Sequence, residues 1–224
     1  MLPFAPRTIR GWVLLWLLCP AALLLPAGCA AVGFVAHALP PPVVEAQYTG
    51  LAGQRIAVMV WADRAIRIDW PNLGLDTTGA IQNKLISAGG KKMPLEGASF
   101  PWSPASVARY QEEHPESEFD PIEKTAAKLG VSRVVYVEIE QFATRTEATT
   151  EMFRGTATAS VKVVEVAGET GHVAYEESNI QVSFPPKVGP EGTFRGNDNL
   201  MYRGTIEVLA QRISDRFIPH QDED

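Results

Sequence analysis

The amino terminus constrains this chain more than any other part of it. Arg7 and Arg10 stand with no acid before residues 11–25, GWVLLWLLCPAALLL, which is the charged-then-apolar order of an export signal. Such a segment is removed or held in a bilayer, so the globular fold has to be built from the residues beyond it. The chain's 46% hydrophobic content is therefore an average over two unlike parts. Without residues 1–28, 18 basic residues face 26 acids, a formal net charge of −8 on a polar-faced body. Such a body repels phosphate backbones and carries no dense Lys/Arg stripe, which excludes nucleic acid as an expected partner. Both cysteines, Cys19 and Cys29, lie in the leader, so the body has no thiol for a disulfide, a thiolate metal site or covalent catalysis.

Three endings of the leader are open. The segment Leu25-Pro26-Ala27-Gly28-Cys29 resembles a bacterial lipobox, in which the cysteine is acylated and becomes the first residue of the mature protein. It departs from that pattern at Pro26, because leucine usually stands three places before the cysteine. Ala36-His37-Ala38 offers an A-x-A site that would release a soluble protein beginning near Leu39. The whole stretch from 11 to 39 is also long enough to stay as an anchor, since about 20 apolar residues span a bilayer. Lipidation of Cys29 is the favoured reading. Ala30 after the cysteine resembles the outer-membrane sorting pattern of enteric-type lipoproteins. The expected partition is a signal peptide at 1–28, a proline-rich tether at 29–50, one globular domain at 51–218 and an acidic tail at 219–224.

Within the body, residues 54–61 (QRIAVMVW) form a continuous apolar run, the pattern of a strand covered on both faces, expected to be the first and central strand. Thr78, Ile81, Leu85 and Leu75 recur at helical spacing before Gly89-Gly90, with Gln82, Asn83 and Lys84 facing away. A short edge strand is expected around Met93–Leu95. Ser103-Pro104 opens a helix that ends at His114-Pro115. Asp120-Pro121, with Glu123 completing a capping box, opens another that Gly130 stops. Residues 131–142 form a strand with Glu138 and Glu140 on one side. Residues 153–166 and 172–184 then form a hairpin through the loop at 167–171. A long exposed loop over 185–199 leads to a last helix with the stripe Ile206, Leu209, Ala210, Ile213 and Phe217. The fold class is α+β: a mixed sheet of about four to five strands with a three-stranded antiparallel portion, flanked by three to four helices.

This order resembles the periplasmic domain shared by the CsgG curli-secretion lipoproteins, the LpoB-type activators of penicillin-binding proteins and the TolB amino-terminal domain. The resemblance is carried by Arg55-Ile-Ala-Val-Met-Val-Trp61, by residues 126–138 (AAKLGVSRVVYVE) and by residues 163–171 (VVEVAGETG). It departs at Ala167 and Gly168, where an Asp precedes the turn in that family, and shows no pore-forming hairpins. The resemblance implies a lipid-anchored domain on the periplasmic side that docks on another envelope protein.

No catalytic apparatus is visible, and no cofactor is expected. His114, His172 and His220 are too scattered for a metal site, and there is no Gly-x-Ser-x-Gly elbow. Ala88-Gly89-Gly90-Lys91-Lys92 follows a helix and so reads as a stop, not a phosphate loop. Glu112, Glu113, Glu116, Glu118 and Asp120 read as a solvated loop. Trp61, Trp70 and Trp102 read as core or rim packing. An aromatic-Arg-Gly triplet occurs at Phe153, Phe194 and Tyr202. Because aromatics and arginines anchor interfaces, Phe194, Arg195, Tyr202 and Arg203 are the candidate partner-binding residues. The expected role is a non-enzymatic envelope lipoprotein; the alternative is a ligand carrier or enzyme using carboxylates of the sheet near Glu138 and Glu140.

Overall fold

The computed structural model describes residues 42–221 except 91, 92, 148 and 150. The leader, Cys29, most of the tether, Lys91, Lys92 and the last three residues of the tail lie outside the described residues. Among the described residues the strands are β1 (Val43–Val44), β2 (Ile56–Ala62), β3 (Arg133–Arg145), β4 (Phe153–Ala167), β5 (Thr170–Phe184) and β6 (His220–Gln221). The helices are α1 (Arg64–Asp69), α2 (Leu73–Ser87), α3 (Pro104–Glu113), α4 (Ile122–Lys128) and α5 (Asp198–Ser214), with a 3-10 turn at Pro115–Glu118. No helix among the described residues is long and apolar enough to cross a membrane. Residues 44–220 form one compact body.

The body is α+β, as the sequence implies. Its mixed sheet runs β2-β3-β4-β5, with β2 parallel to β3 and the remaining pairs antiparallel. Strand alternation divides the core in two. Ile56, Val58 and Val60 of β2 face a cluster with Leu73, Ile81 and Leu85 of α2 and Leu209 and Ile213 of α5. Ala57, Met59 and Trp61 face a second cluster with Val107 of α3, Ala126 of α4 and Leu129. Thus β2 is buried along its whole length.

It is not central, however: β3 is its one ladder neighbour among the described strands. A continuous apolar run reports helices on two faces, and says nothing of how many strands lie alongside. The outer edge of β2 is closed by other means. Ile56 N–H donates to the Ser99 carbonyl and Ser99 N–H to that of Gln54, each at 2.8 Å, while the Gln111 side chain donates to the Val60 carbonyl at 3.0 Å. This parallel bridge at Ser99 replaces the edge strand expected around Met93–Leu95, where Pro94 favours turns instead.

Other differences are local. The α2 helix starts three residues before Asp76, and Gln82 is buried, donating to the Trp102 carbonyl at 3.1 Å. Asp120 caps nothing: α4 begins after Pro121 with no side-chain cap, and the Asp120 carboxylate accepts from Lys124 Nζ at 2.9 Å. A neighbouring ammonium outbids a backbone N–H for that carboxylate. The hairpin loop is two residues, Gly168 and Glu169, with Gly168 at φ +64, a left-handed conformation that glycine adopts without strain. Residues 47 and 48, which the sequence assigns to the tether, are held to the body by their N–H groups, both donating to the Arg216 carbonyl. The Tyr48 hydroxyl also donates to Glu165 at 2.7 Å.

Candidate docking surface

The carboxyl end of β2 runs directly into α1, whose start is capped by Asp63 Oδ1 accepting from Ala65 N–H at 3.1 Å. None of the α1 residues is buried, so this helix lies on the surface. Arg67 ties it down. Its guanidinium sits 5.1 Å from the centre of the Trp61 ring and donates to Glu118 of the 3-10 turn at 2.5 Å. That pair brings Ile68 and Phe119 to one rim, 74% and 86% exposed, where with Arg64 they line a shallow recess. Large apolar side chains so exposed and grouped mark interaction surfaces more often than isolated ones do.

On the other side of the Arg67–Glu118 pair is a cleft of about 390 Å³. It is lined by Val60, Trp61 and Ala62 of β2, by Asn72, Gly74 and Leu75 at the start of α2, and by Gln111 and Glu112 of α3. Gly74 lets α2 come close, since a Cβ there would lie 3.3 Å from the Val60 carbonyl oxygen. Arg67 Nε is buried without a hydrogen-bond partner. A third recess, of about 350 Å³, continues past Pro71 and Asn72 to Trp70, Asp76, Asp198 and Tyr202. These recesses share residues and form one continuous corner of the body.

The four residues singled out by sequence differ in their surroundings. Phe194 is 74% exposed and Arg195 exposed, on a loop pinned where Thr193 exchanges hydrogen bonds with Phe153 at 2.8 and 2.9 Å. Tyr202 turns inward, stacked 5.3 Å from Trp70, and its hydroxyl donates to Asp76 Oδ2 at 2.8 Å. Burial and that carboxylate both push its phenol above the ordinary value. Arg203 is exposed, and with Phe194 and Arg195 it lines none of the three recesses. Beside Tyr202, Asp198 receives bonds from Arg145 Nε and Nη2 and from the Thr144 hydroxyl, which hold its carboxyl below the usual range.

Sequence reasoning missed Ile68 and Phe119, and it set Leu75 on the packed stripe of its helix, whereas Leu75 is exposed at the cleft. One signal was available for Phe119: a lone aromatic inside an acidic loop has no core to serve. Glu138 and Glu140 sit exposed on β3 and line none of the three recesses. Among the described residues no group of three or more His, Cys, Asp or Glu could hold a metal ion.

No protein-family model matches the chain, and no curated protein matches it. Solved structures do show likeness. A point variant of the PelC dodecamer from Paraburkholderia phytofirmans aligns at 13% identity with a TM-score of 0.40, covering 78% of this chain and 93% of that one. Lipoprotein GNA1162 from Neisseria meningitidis aligns at 12% identity and 0.41, covering 71% and 95%. The hypothetical protein CT253 from Chlamydia trachomatis aligns at 16% identity and 0.36, covering 72% and 99%.

Proposed function

We propose that this chain is a lipoprotein of the bacterial cell envelope, acylated at Cys29 and facing the periplasm from the outer membrane, whose body docks on an envelope protein without catalysing a reaction. The observation that carries docking is the exposed pair Ile68 and Phe119, which line one recess with the paired Arg67 and Glu118 at the edge of an open cleft. The basic-then-apolar leader supports export, and the small residues before Cys29 support acylation. Acyl chains contribute about 0.8 kcal/mol per buried methylene, so several on one cysteine hold a protein stably at a membrane. One strand, then helices, three successive antiparallel strands and a last helix from β2 to α5 support the resemblance to the CsgG, LpoB and TolB type of domain, from which α1 and the missing edge strand depart.

The test has two arms. Intact mass of the mature protein and of Cys29→Ala, in membrane and soluble fractions, should show a diacylated or triacylated Cys29 terminus that the variant lacks. An unmodified terminus near Leu39 refutes the anchor. In the second arm, crosslinked envelope partners are captured with the native body, with Ile68→Ser/Phe119→Ser, and with residues 194–199 deleted. Loss of a defined partner only in the Ile68/Phe119 variant places docking at this corner; loss only in the deletion moves it to the Phe194 loop.

A further inference from the structure

Charge decides which chemistry the corner accepts. Residues 63–76 and 108–120, which build it, contain eight acids and three arginines. Some of these charges are already matched: Arg67 is paired with Glu118, and Asp120 with Lys124 and Lys128. Asp63, Asp69, Asp76, Glu112 and Glu113 make no ion pair among the described residues, and neither do Arg64 and Arg109; Glu112 lines the cleft and Arg64 the recess of Ile68 and Phe119. The corner that carries the exposed apolar rim of Ile68, Leu75 and Phe119 thus keeps a net excess of acids outside ion pairs, five against two arginines.

We infer that the corner docks a basic, apolar segment of a protein partner, with its apolar side chains against Ile68 and Phe119 and in the cleft beside Leu75, and its Lys or Arg side chains opposite Asp69, Glu112 and Glu113. This rests on the docking role proposed above. A membrane would satisfy the apolar rim equally well, but anionic headgroups attract basic surfaces and repel this acidic one. Opposite charge across the rim sets orientation and encounter rate, while the desolvated apolar centre supplies most of the affinity.

The experiment uses the purified mature protein and three probes: a fluorescent 14-residue amphipathic peptide of Lys, Leu and Phe, its counterpart with Glu for every Lys, and phosphatidylglycerol-containing vesicles. The basic peptide should bind, at least tenfold more tightly than the acidic one, and more weakly as salt rises from 50 to 300 mM. Ile68→Ser/Phe119→Ser and Glu112→Lys/Glu113→Lys should each weaken it about tenfold or more. Glu138→Lys/Glu140→Lys, a charge reversal on the exposed face of β3, should leave it unchanged. Equal binding of the two peptides, equal loss in the β3 variant, or no loss in either corner variant overturns the inference. So does vesicle binding of the Cys29→Ala protein that disappears with Ile68→Ser/Phe119→Ser. Failure here in correctly acylated protein leaves the envelope reading standing, whereas an unprocessed cytosolic protein sinks that reading whatever the peptides do.

Discussion

At Gly155 a Cβ would lie 1.8 Å from Thr205 Oγ1 and 3.0 Å from the Met201 carbonyl, so the β4 backbone lies directly against α5 there. Gly196 is crowded by the Met201 side chain and Gly204 by the Phe184 ring. These are the glycines of the three aromatic-Arg-Gly triplets, and what the triplets share is close approach at the start of α5. Gly155→Ala should therefore destabilise by about 1–3 kcal/mol through overpacking, read as a lower thermal midpoint, and Thr205→Ala in the same chain should restore part of it. An unchanged midpoint would refute the contact. A second residue-scale outcome concerns Glu177. Burial alone would raise its carboxyl, but paired bonds from Arg216 and one from Tyr175 outweigh it and hold the carboxyl below its usual value. A carboxyl lowered on folding contributes stability above its unfolded value, about 4.3, and loses it as pH falls through the folded one. The thermal midpoint should fall on acidification below about pH 4.5, and fall less steeply in Glu177→Gln.

At the scale of elements, the helix starts separate real caps from apparent ones. Asn197 Oδ1 accepts from Leu200 N–H at 2.9 Å and Ser103 Oγ from Ser106 N–H at 3.1 Å. Asn197→Ala and Ser103→Ala should each cost about 1 kcal/mol in denaturant unfolding. Asp120→Ala should cost less than either, because it breaks exposed ion pairs and leaves no helix donor newly stranded. The Ser103 cap, the period-two runs of β4 and β5 and the stripe of α5 are legible in the sequence because each is a local pattern that one neighbour layer satisfies. Asp120 misleads because its competing partner, Lys124, is as local as the cap. The placement of β2 at the margin is illegible for another reason: its closing contacts come from Ser99 and Gln111, far along the chain, and neither residue type announces such a role. The corner formed by Ile68 and Phe119 depends in the same way on Arg67 meeting Glu118, 51 residues apart.

Across the whole body, β2 serves both cores, as do β3 through Val134 and Val135 and β4 through Val163 and Val164. Val58 is buried on the α2–α5 side and Met59 on the α3–α4 side, one residue apart, so loss of either layer exposes a strand that the other layer needs. Two layers that share a strand in this way should melt together in one cooperative transition. Val58→Ala and Met59→Ala, each leaving a cavity, should lower the midpoint of that transition, the methionine change costing about 2–5 kcal/mol of unfolding free energy. Tryptophan fluorescence reports mainly on the α3–α4 side, where Trp61 packs and Trp102 Nε1 donates to the Leu129 carbonyl at 3.0 Å; far-ultraviolet circular dichroism reports on all layers. The two signals should coincide in the native protein and in both variants. A fluorescence transition that precedes the other in Met59→Ala would mean that α3 and α4 come away as a separate unit. The corner between α1 and the 3-10 turn would then be mobile, and its exposed side chains could no longer be presented at a fixed spacing to a partner.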